Sequence, residues 1–216
     1  MVDSAHSYEP PRGPLKATLI DWGRGKTLFR VHEERFAANE FNPSRSGNAR
    51  FSPIYSRTKE VISTLYAGSS LDCALMETVF HDVPYKAGFK PLSRARLLNR
   101  VHSILLLNRD LRLIDLGTIA LRKLGIPRNA LIDTTKFHYP RTRRWAEALY
   151  DQFPEAQGLR WTSRQDDHAQ AMLLFCDRAS SSALTVMSAP IPLLDDGQPI
   201  MQVLDLATRM DVTLVE

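Results

Sequence analysis

The apolar residues of this chain arrive in short runs. Leu28-Phe-Arg-Val31, Thr64-Leu-Tyr-Ala67, Val101 to Leu107, Leu111 to Leu116 and Ala171-Met-Leu-Leu-Phe-Cys176 are four to seven residues long, each bounded by polar residues, Gly or Pro. That length suits β-strands and excludes a bundle of long helices. Ala49-Arg-Phe51 and Gly158-Leu-Arg-Trp-Thr-Ser163 are further strand candidates, with Asn42-Pro-Ser-Arg-Ser-Gly-Asn48 as a loop before the first. Helical spacing occurs between these runs. Gly68-Ser-Ser70 supplies a turn and an N-cap for a helix from Leu71 to about His81, whose buried face is Leu71, Ala74, Leu75, Thr78 and Val79. Thr118 to Leu124, closed by Gly125 and Pro127, reads as a second helix, and Thr142 to Phe153, with Trp145, Leu149 and Phe153 on one side, as a third. Val203 to Leu206 begins the last element. The expected fold is α+β, a single domain of short twisted strands with flanking helices.

At 216 residues, 44% hydrophobic and 24% charged, the chain is long enough for one full core. Residues 1–14, rich in Pro and polar side chains, are expected to form a flexible arm, and residues 15–216 the folded domain. There is no run of eighteen apolar residues and no apolar stretch near Met1. A cytoplasmic protein without membrane contact is therefore expected. Cys73 and Cys176 lie in apolar segments and are expected to be buried thiols, not a disulfide or metal ligands.

The net charge of +4 and pI near 9.2 allow either nucleic acid or a phosphate-bearing small molecule as ligand. Arg141-Thr-Arg-Arg144 is the densest basic cluster and reads as the solvated start of a helix. Several familiar sites are excluded. Gly25-Lys-Thr27 has Ile20 where a phosphate-binding P-loop needs glycine, and no GxGxxG follows a strand. The six histidines form no HxH or HExxH, and no GxSxG is present, so neither a metal nor an activated serine is expected.

What remains is a series of polar residues at the ends of strands and on one helix: Arg30, Arg50, Tyr66, Glu77 and Ser163. Singly, each is an ordinary surface or boundary residue. Their order resembles the RES domain, named for its Arg, Glu and Ser. The resemblance runs through Leu28-Phe-Arg-Val-His32, Gly47-Asn-Ala-Arg-Phe51 and Leu65-Tyr-Ala-Gly-Ser-Ser-Leu-Asp-Cys-Ala-Leu-Met-Glu77, and resumes at Gly158-Leu-Arg-Trp-Thr-Ser163 with Leu173-Leu-Phe175. The tyrosine-to-glutamate segment is its most specific part. Two stretches depart from the family pattern: Gly47-Asn-Ala-Arg-Phe51 stands for a Gly-Gly-Arg-Trp-Asn-like sequence, and Trp161-Thr-Ser163 for a Pro-Ser-like context.

The resemblance implies an ADP-ribosyltransferase-like fold and an NAD-degrading toxin, with NAD as substrate and no metal. It further implies neutralisation by an Xre-like antitoxin covering the active site, contact with nucleic acid only through that antitoxin, and a homodimer. Carried onto this sequence, it makes Glu77 the carboxylate that stabilises the oxocarbenium-like ribose. Arg30 and Arg50 would grip the pyrophosphate and Tyr66 would stack on nicotinamide, with Arg30 and Tyr66 beside Glu77 in the catalytic set. Ser163, or the cap serines Ser69 and Ser70, would orient ribose or phosphate. Water and phosphate are the expected acceptors, because Leu75 stands where arginine-specific transferases carry a second Glu or Gln. ADP-ribosyl transfer to a protein is the near alternative, and a non-enzymatic nucleic-acid-binding module using Arg141, Arg143 and Arg144 a more distant one.

Overall fold

The computed structural model describes residues 8–164 and 166–216. In chain order the strands are β1 (Thr18–Trp22), β2 (Thr27–Glu33), β3 (Ile54–Tyr55), β4 (Val61–Ile62), β5 (Thr64–Gly68), β6 (Pro91–Ser93), β7 (Arg100–Leu107), β8 (Leu111–Asp115), β9 (Gly158–Thr162), β10 (Gln170–Phe175), β11 (Leu184–Val186), β12 (Ile191–Pro192) and β13 (Thr213–Val215). The helices are α1 (Leu71–Met76), α2 (Thr118–Leu124), α3 (Arg128–Leu131), α4 (Tyr139–Gln152), α5 (Cys176–Ala179) and α6 (Gln198–Arg209). This is the mixed α+β architecture that the short apolar runs predict.

Nine strands form one sheet in the order β1-β8-β9-β10-β5-β2-β7-β11, with β12 also paired to β7. Every pair in it is antiparallel except β8 with β9. The centre is covered on both faces, which is why β10 reads as an unbroken apolar run. Ala171, Leu173 and Phe175 enter a core with Trp145 and Leu149 of α4, while Met172 and Leu174 enter another with Leu28, Leu65 and Leu105. A third core lies where α1 meets α6, around Leu75, Val79, Phe80, Val203 and Leu206.

One irregularity in the sheet positions everything functional. β2 and β5 pair only at Phe29 and Gly68. Continued antiparallel pairing would set Arg30–Glu33 of β2 against Thr64–Ala67 of β5, yet the strands separate there and line a cleft. Gly68 permits the junction, since a Cβ there would lie 2.9 Å from the Cys73 Cβ where β5 turns into α1.

Four local expectations change. α1 stops at Met76, not near His81, because Glu77 caps it and the Leu75 carbonyl accepts the amides of Thr78, Val79 and Phe80 in succession. Val79 and Phe80 are still buried, so the apolar spacing persists through turns. Ala49-Arg-Phe51 is not a strand but a turn closed by the Ala49 amide on the Ser52 carbonyl. The third expected helix begins three residues earlier, at Tyr139, and Arg141 and Thr142 are buried within it. The element around Val203 is the middle of α6.

The expected arm lies partly outside the described residues. Within residues 8–14, the Tyr8 carbonyl accepts from Trp145 Nε1 at 2.7 Å and Glu9 pairs with Arg144.

Candidate active site

The cleft has a volume of about 440 Å³, within the range of small-molecule sites. Its walls are the separated ends of β2 and β5, the 46–53 loop, the 74–82 segment, and side chains from the 94–100 and 136–139 regions. Arg30, Arg50, Tyr66 and Glu77 all line it. Segments far apart in sequence therefore bring four of the expected residues together.

Glu77 ends α1, and its carboxylate is held on both oxygens. Oε1 accepts from Ser163 Oγ at 2.8 Å and from the Arg164 amide at 3.2 Å, and Oε2 faces Arg50 Nη1 at 3.4 Å. Its side chain is 12% exposed and that of Arg50 3%. A carboxylate at a helix C-terminus faces the negative end of the helix dipole, so these donors offset an unfavourable placement. Ser163 is fully buried behind Glu77 at the end of β9 and also bonds to the Cys73 thiol. Burial pushes that thiol up to about 12, with the neighbouring Glu77 adding to the effect, which leaves it a neutral packing group.

Arg50 is fixed through its backbone. Thr142 of α4 bonds the Arg50 carbonyl, Arg143 reaches Asn48 Oδ1 at 3.0 Å, and the next amide, Phe51, donates to Tyr66 Oη at 2.9 Å. The guanidinium lies over the Tyr139 ring, 5.8 Å from its centre. Its Nε and Nη2 are buried without a hydrogen-bond partner. Leaving two donors of a buried cation unmet costs free energy, which a bound anion would offset.

Tyr66 does more than offer a ring. Its hydroxyl anchors the Arg50 turn, and its ring meets Trp161 edge-on at 6.2 Å. Burial raises the phenol's pKa, so the hydroxyl stays protonated. Arg30 is 6% exposed and spends Nη1 on the carbonyls of Ala38 at 2.6 Å, Glu40 at 2.8 Å and Ala37 at 3.3 Å. Burial lowers it to about 10, partly offset by Glu40, leaving it cationic. It thus holds the 37–40 loop while lining the cleft.

The cap serines sit elsewhere. Ser70 Oγ accepts from the Cys73 amide as the N-cap of α1, and Ser69 Oγ accepts from the Gln170 amide at 2.9 Å. Neither is among the residues lining the cleft.

The structure adds residues that no local pattern announces. Tyr139 starts α4, and its hydroxyl lies 3.0 Å from His81 Nε2. Asp82 takes His81 Nδ1 at 2.9 Å, Lys136 Nζ at 2.7 Å and Arg96 Nη2 at 3.1 Å. Burial works to raise the Asp82 pKa, but bonds from Lys136, His81 and Arg96 outweigh it and hold the carboxyl well below its usual range. Arg100 adds a further cation to this wall, and His32, held neutral by burial, lines it too. The basic cluster of α4, expected as a solvated face, is buried at Arg141, which reaches the Ala130 carbonyl, and partly buried at Arg143, which reaches the 48–49 loop, while Arg144 is exposed and pairs with Glu9.

A curled, mostly antiparallel sheet that opens between two central strands onto a cleft lined by fixed carboxylates and several guanidinium groups defines a mixed α+β domain. Residues 27–194 match the RES domain. The chain belongs to the RES domain family. Its fold is similar to that of a chain in the crystal structure of the M. tuberculosis MbcT–MbcA toxin–antitoxin complex, with a TM-score of 0.57 and 14% identity over 87% of this chain and 91% of that one. No curated protein sequence matches the chain. Among the described residues no group of three or more His, Cys, Asp or Glu is placed to hold a metal ion, and no helix is long and apolar enough to cross a membrane.

Proposed function

We propose that this protein is a toxin that binds NAD in the β2–β5 cleft and cleaves its nicotinamide–ribose bond. The observation that carries this reading is the pairing of a carboxylate immobilised on both oxygens with a buried guanidinium that has two unmet donors. Loss of nicotinamide leaves positive charge at the anomeric carbon, and a preorganised carboxylate stabilises that charge without having to move. Arg50 and Arg30 supply charge-assisted hydrogen bonds for the pyrophosphate, and Tyr66 a ring for nicotinamide. Ser163 fixes Glu77 from behind, whereas Ser69 and Ser70 hold the start of α1. NAD is the substrate and no metal takes part. Water or inorganic phosphate captures the ADP-ribosyl group.

The similar fold found in a toxin–antitoxin complex supports a partner protein that neutralises this chain. An Xre-like antitoxin covering the cleft fits the family, as do a homodimer, a cytoplasmic location and contact with nucleic acid only through the antitoxin. Direct binding of nucleic acid through Arg141, Arg143 and Arg144 is disfavoured, since these guanidinium groups are already engaged.

The test is nicotinamide release from NAD by the wild type and Glu77→Gln, with and without phosphate. Wild type should consume NAD, and Glu77→Gln should lose at least about a hundredfold in turnover, the scale for one preorganised electrostatic group. An inactive wild type under every acceptor condition refutes NAD cleavage, and label appearing on a protein with little free ADP-ribose makes the activity a transferase.

A further inference from the structure

Glu77 is poorly placed to accept a proton. Oε1 already accepts two hydrogen bonds and Oε2 faces a guanidinium. The oxygen that captures an ADP-ribosyl cation must nevertheless lose its proton, and a base acting near neutral pH serves that step best. The same 74–82 segment of the cleft also carries an imidazole, His81, beside Asp82. His81 Nδ1 is directed at the Asp82 carboxylate at 2.9 Å, so the ring proton resides on Nδ1 and Nε2 is the acceptor. Tyr139 Oη lies 3.0 Å from that Nε2 and donates to it. The Tyr139 ring packs under the Arg50 guanidinium that pairs with Glu77, so the phenol and the carboxylate flank the same guanidinium. Tyr139, His81, Asp82, Arg50 and Glu77 all line the one cleft.

Resting on the reading of this cleft as a site of nicotinamide–ribose cleavage, we propose that Tyr139, His81 and Asp82 form a proton relay that deprotonates the acceptor. The C1′–N bond breaks with its electron pair going to the pyridinium ring, releasing neutral nicotinamide. An acceptor oxygen, from water in the simplest case, bonds to C1′ and passes its proton to Tyr139 Oη as the phenol proton moves to His81 Nε2. The resulting imidazolium faces Asp82 and later gives its proton to solvent, so one water and one NAD yield nicotinamide, ADP-ribose and one proton.

The surroundings suit the task. Burial raises the Tyr139 pKa, with Arg50 and Arg164 working against it, so the phenol is a neutral conductor and not a standing base. His81 is faced by Asp82 on its own segment and by Tyr139 at the start of α4, and Lys136 and Arg96 reach it through Asp82. Asp82 bonds Lys136 and Arg96 as well as His81, which ties three cleft walls together around the imidazole.

The experiment measures kcat and KM for NAD between about pH 5 and 9 for wild type, His81→Ala and Tyr139→Phe, the latter keeping the ring under Arg50. Wild-type kcat should show an acid limb, the signature of a proton-accepting relay. Both variants should lose about a hundredfold in kcat with KM changed less than about threefold, the acid limb should vanish, and added imidazole should restore His81→Ala. An acid limb retained in both variants, or a loss confined to KM, overturns the relay while leaving NAD cleavage standing. A wild type that releases no nicotinamide overturns both.

Discussion

Tyr66→Phe removes a single oxygen and separates two roles for the same side chain. If the ring serves only as a stacking surface, phenylalanine replaces it at little cost. In the structure the hydroxyl accepts the Phe51 amide at 2.9 Å, and Phe51 is fully buried against Trp161, with ring centres 5.2 Å apart. The variant therefore strands a buried backbone donor, at about 1–3 kcal/mol. In a chain of this size each kcal/mol corresponds to roughly 2–4 °C in Tm, so the midpoint should fall by about 2–12 °C. The fold survives, because Thr142 and Arg143 still hold the Arg50 carbonyl and Asn48. The turn that carries Arg50 loses one of its restraints, and a displacement of about 1 Å in a positioning group costs on the order of a hundredfold in turnover. Calorimetric melting and nicotinamide release on the same preparation test both consequences. A Tyr66→Phe protein with wild-type Tm and turnover would refute the hydroxyl's structural role and leave stacking as the whole function of Tyr66.

Ser163→Ala removes the 2.8 Å bond to Glu77 Oε1 while the Arg164 amide keeps its own, so turnover should fall about tenfold to a hundredfold with a melting point within a few degrees of wild type; an unchanged rate would show that the amide alone fixes Glu77. His32 bonds Ser103 Oγ at 2.8 Å and the Glu33 carbonyl at 2.9 Å, and burial, reinforced by Arg30, lowers it from 6.5 to about 4. Its unfolded form binds the proton first, so stability should be full above about pH 6.5 and fall as pH drops toward 4, a loss that His32→Gln should abolish in denaturant titrations across that window. Gly68→Ala would set a Cβ 2.9 Å from the Cys73 Cβ, and should destabilise by about 1–3 kcal/mol through displacement of α1; a variant as stable as wild type in urea would show that the helix shifts freely.

What was legible in the sequence was local. The run from Thr64 to Met76 announces strand, turn, N-cap and helix within thirteen residues, and the structure forms each in place. The helix nevertheless ends early, because the apolar spacing through Val79 and Phe80 records burial, which turns satisfy as well as a helix does. Three residues around Arg50 are too few to separate a strand from a turn, and the contacts that decide it come from Tyr66, Thr142 and Arg143. Arg141 and Arg143 looked solvated because their acceptors, at residues 130 and 48–49, are distant along the chain. Tyr139, His81 and Asp82 escaped for the same reason, being joined only when the 77–82, 94–96 and 136–139 segments close around the cleft.

The separation of β2 from β5 explains why these features occur together. A sheet paired beyond Phe29 and Gly68 would satisfy its backbone groups within itself and leave no opening for a ligand. Parting the strands exposes both inner edges, and the 37–40 loop, the Arg50 turn and the end of α1 pack into the gap. Arg30 holds the first through three carbonyls, Tyr66 the second through the Phe51 amide, and Ser163 the third through Glu77. Each expected site residue that lines the cleft or backs it therefore also braces one of its walls, so substitutions at these positions should lower stability and activity together unless they preserve the bracing bond.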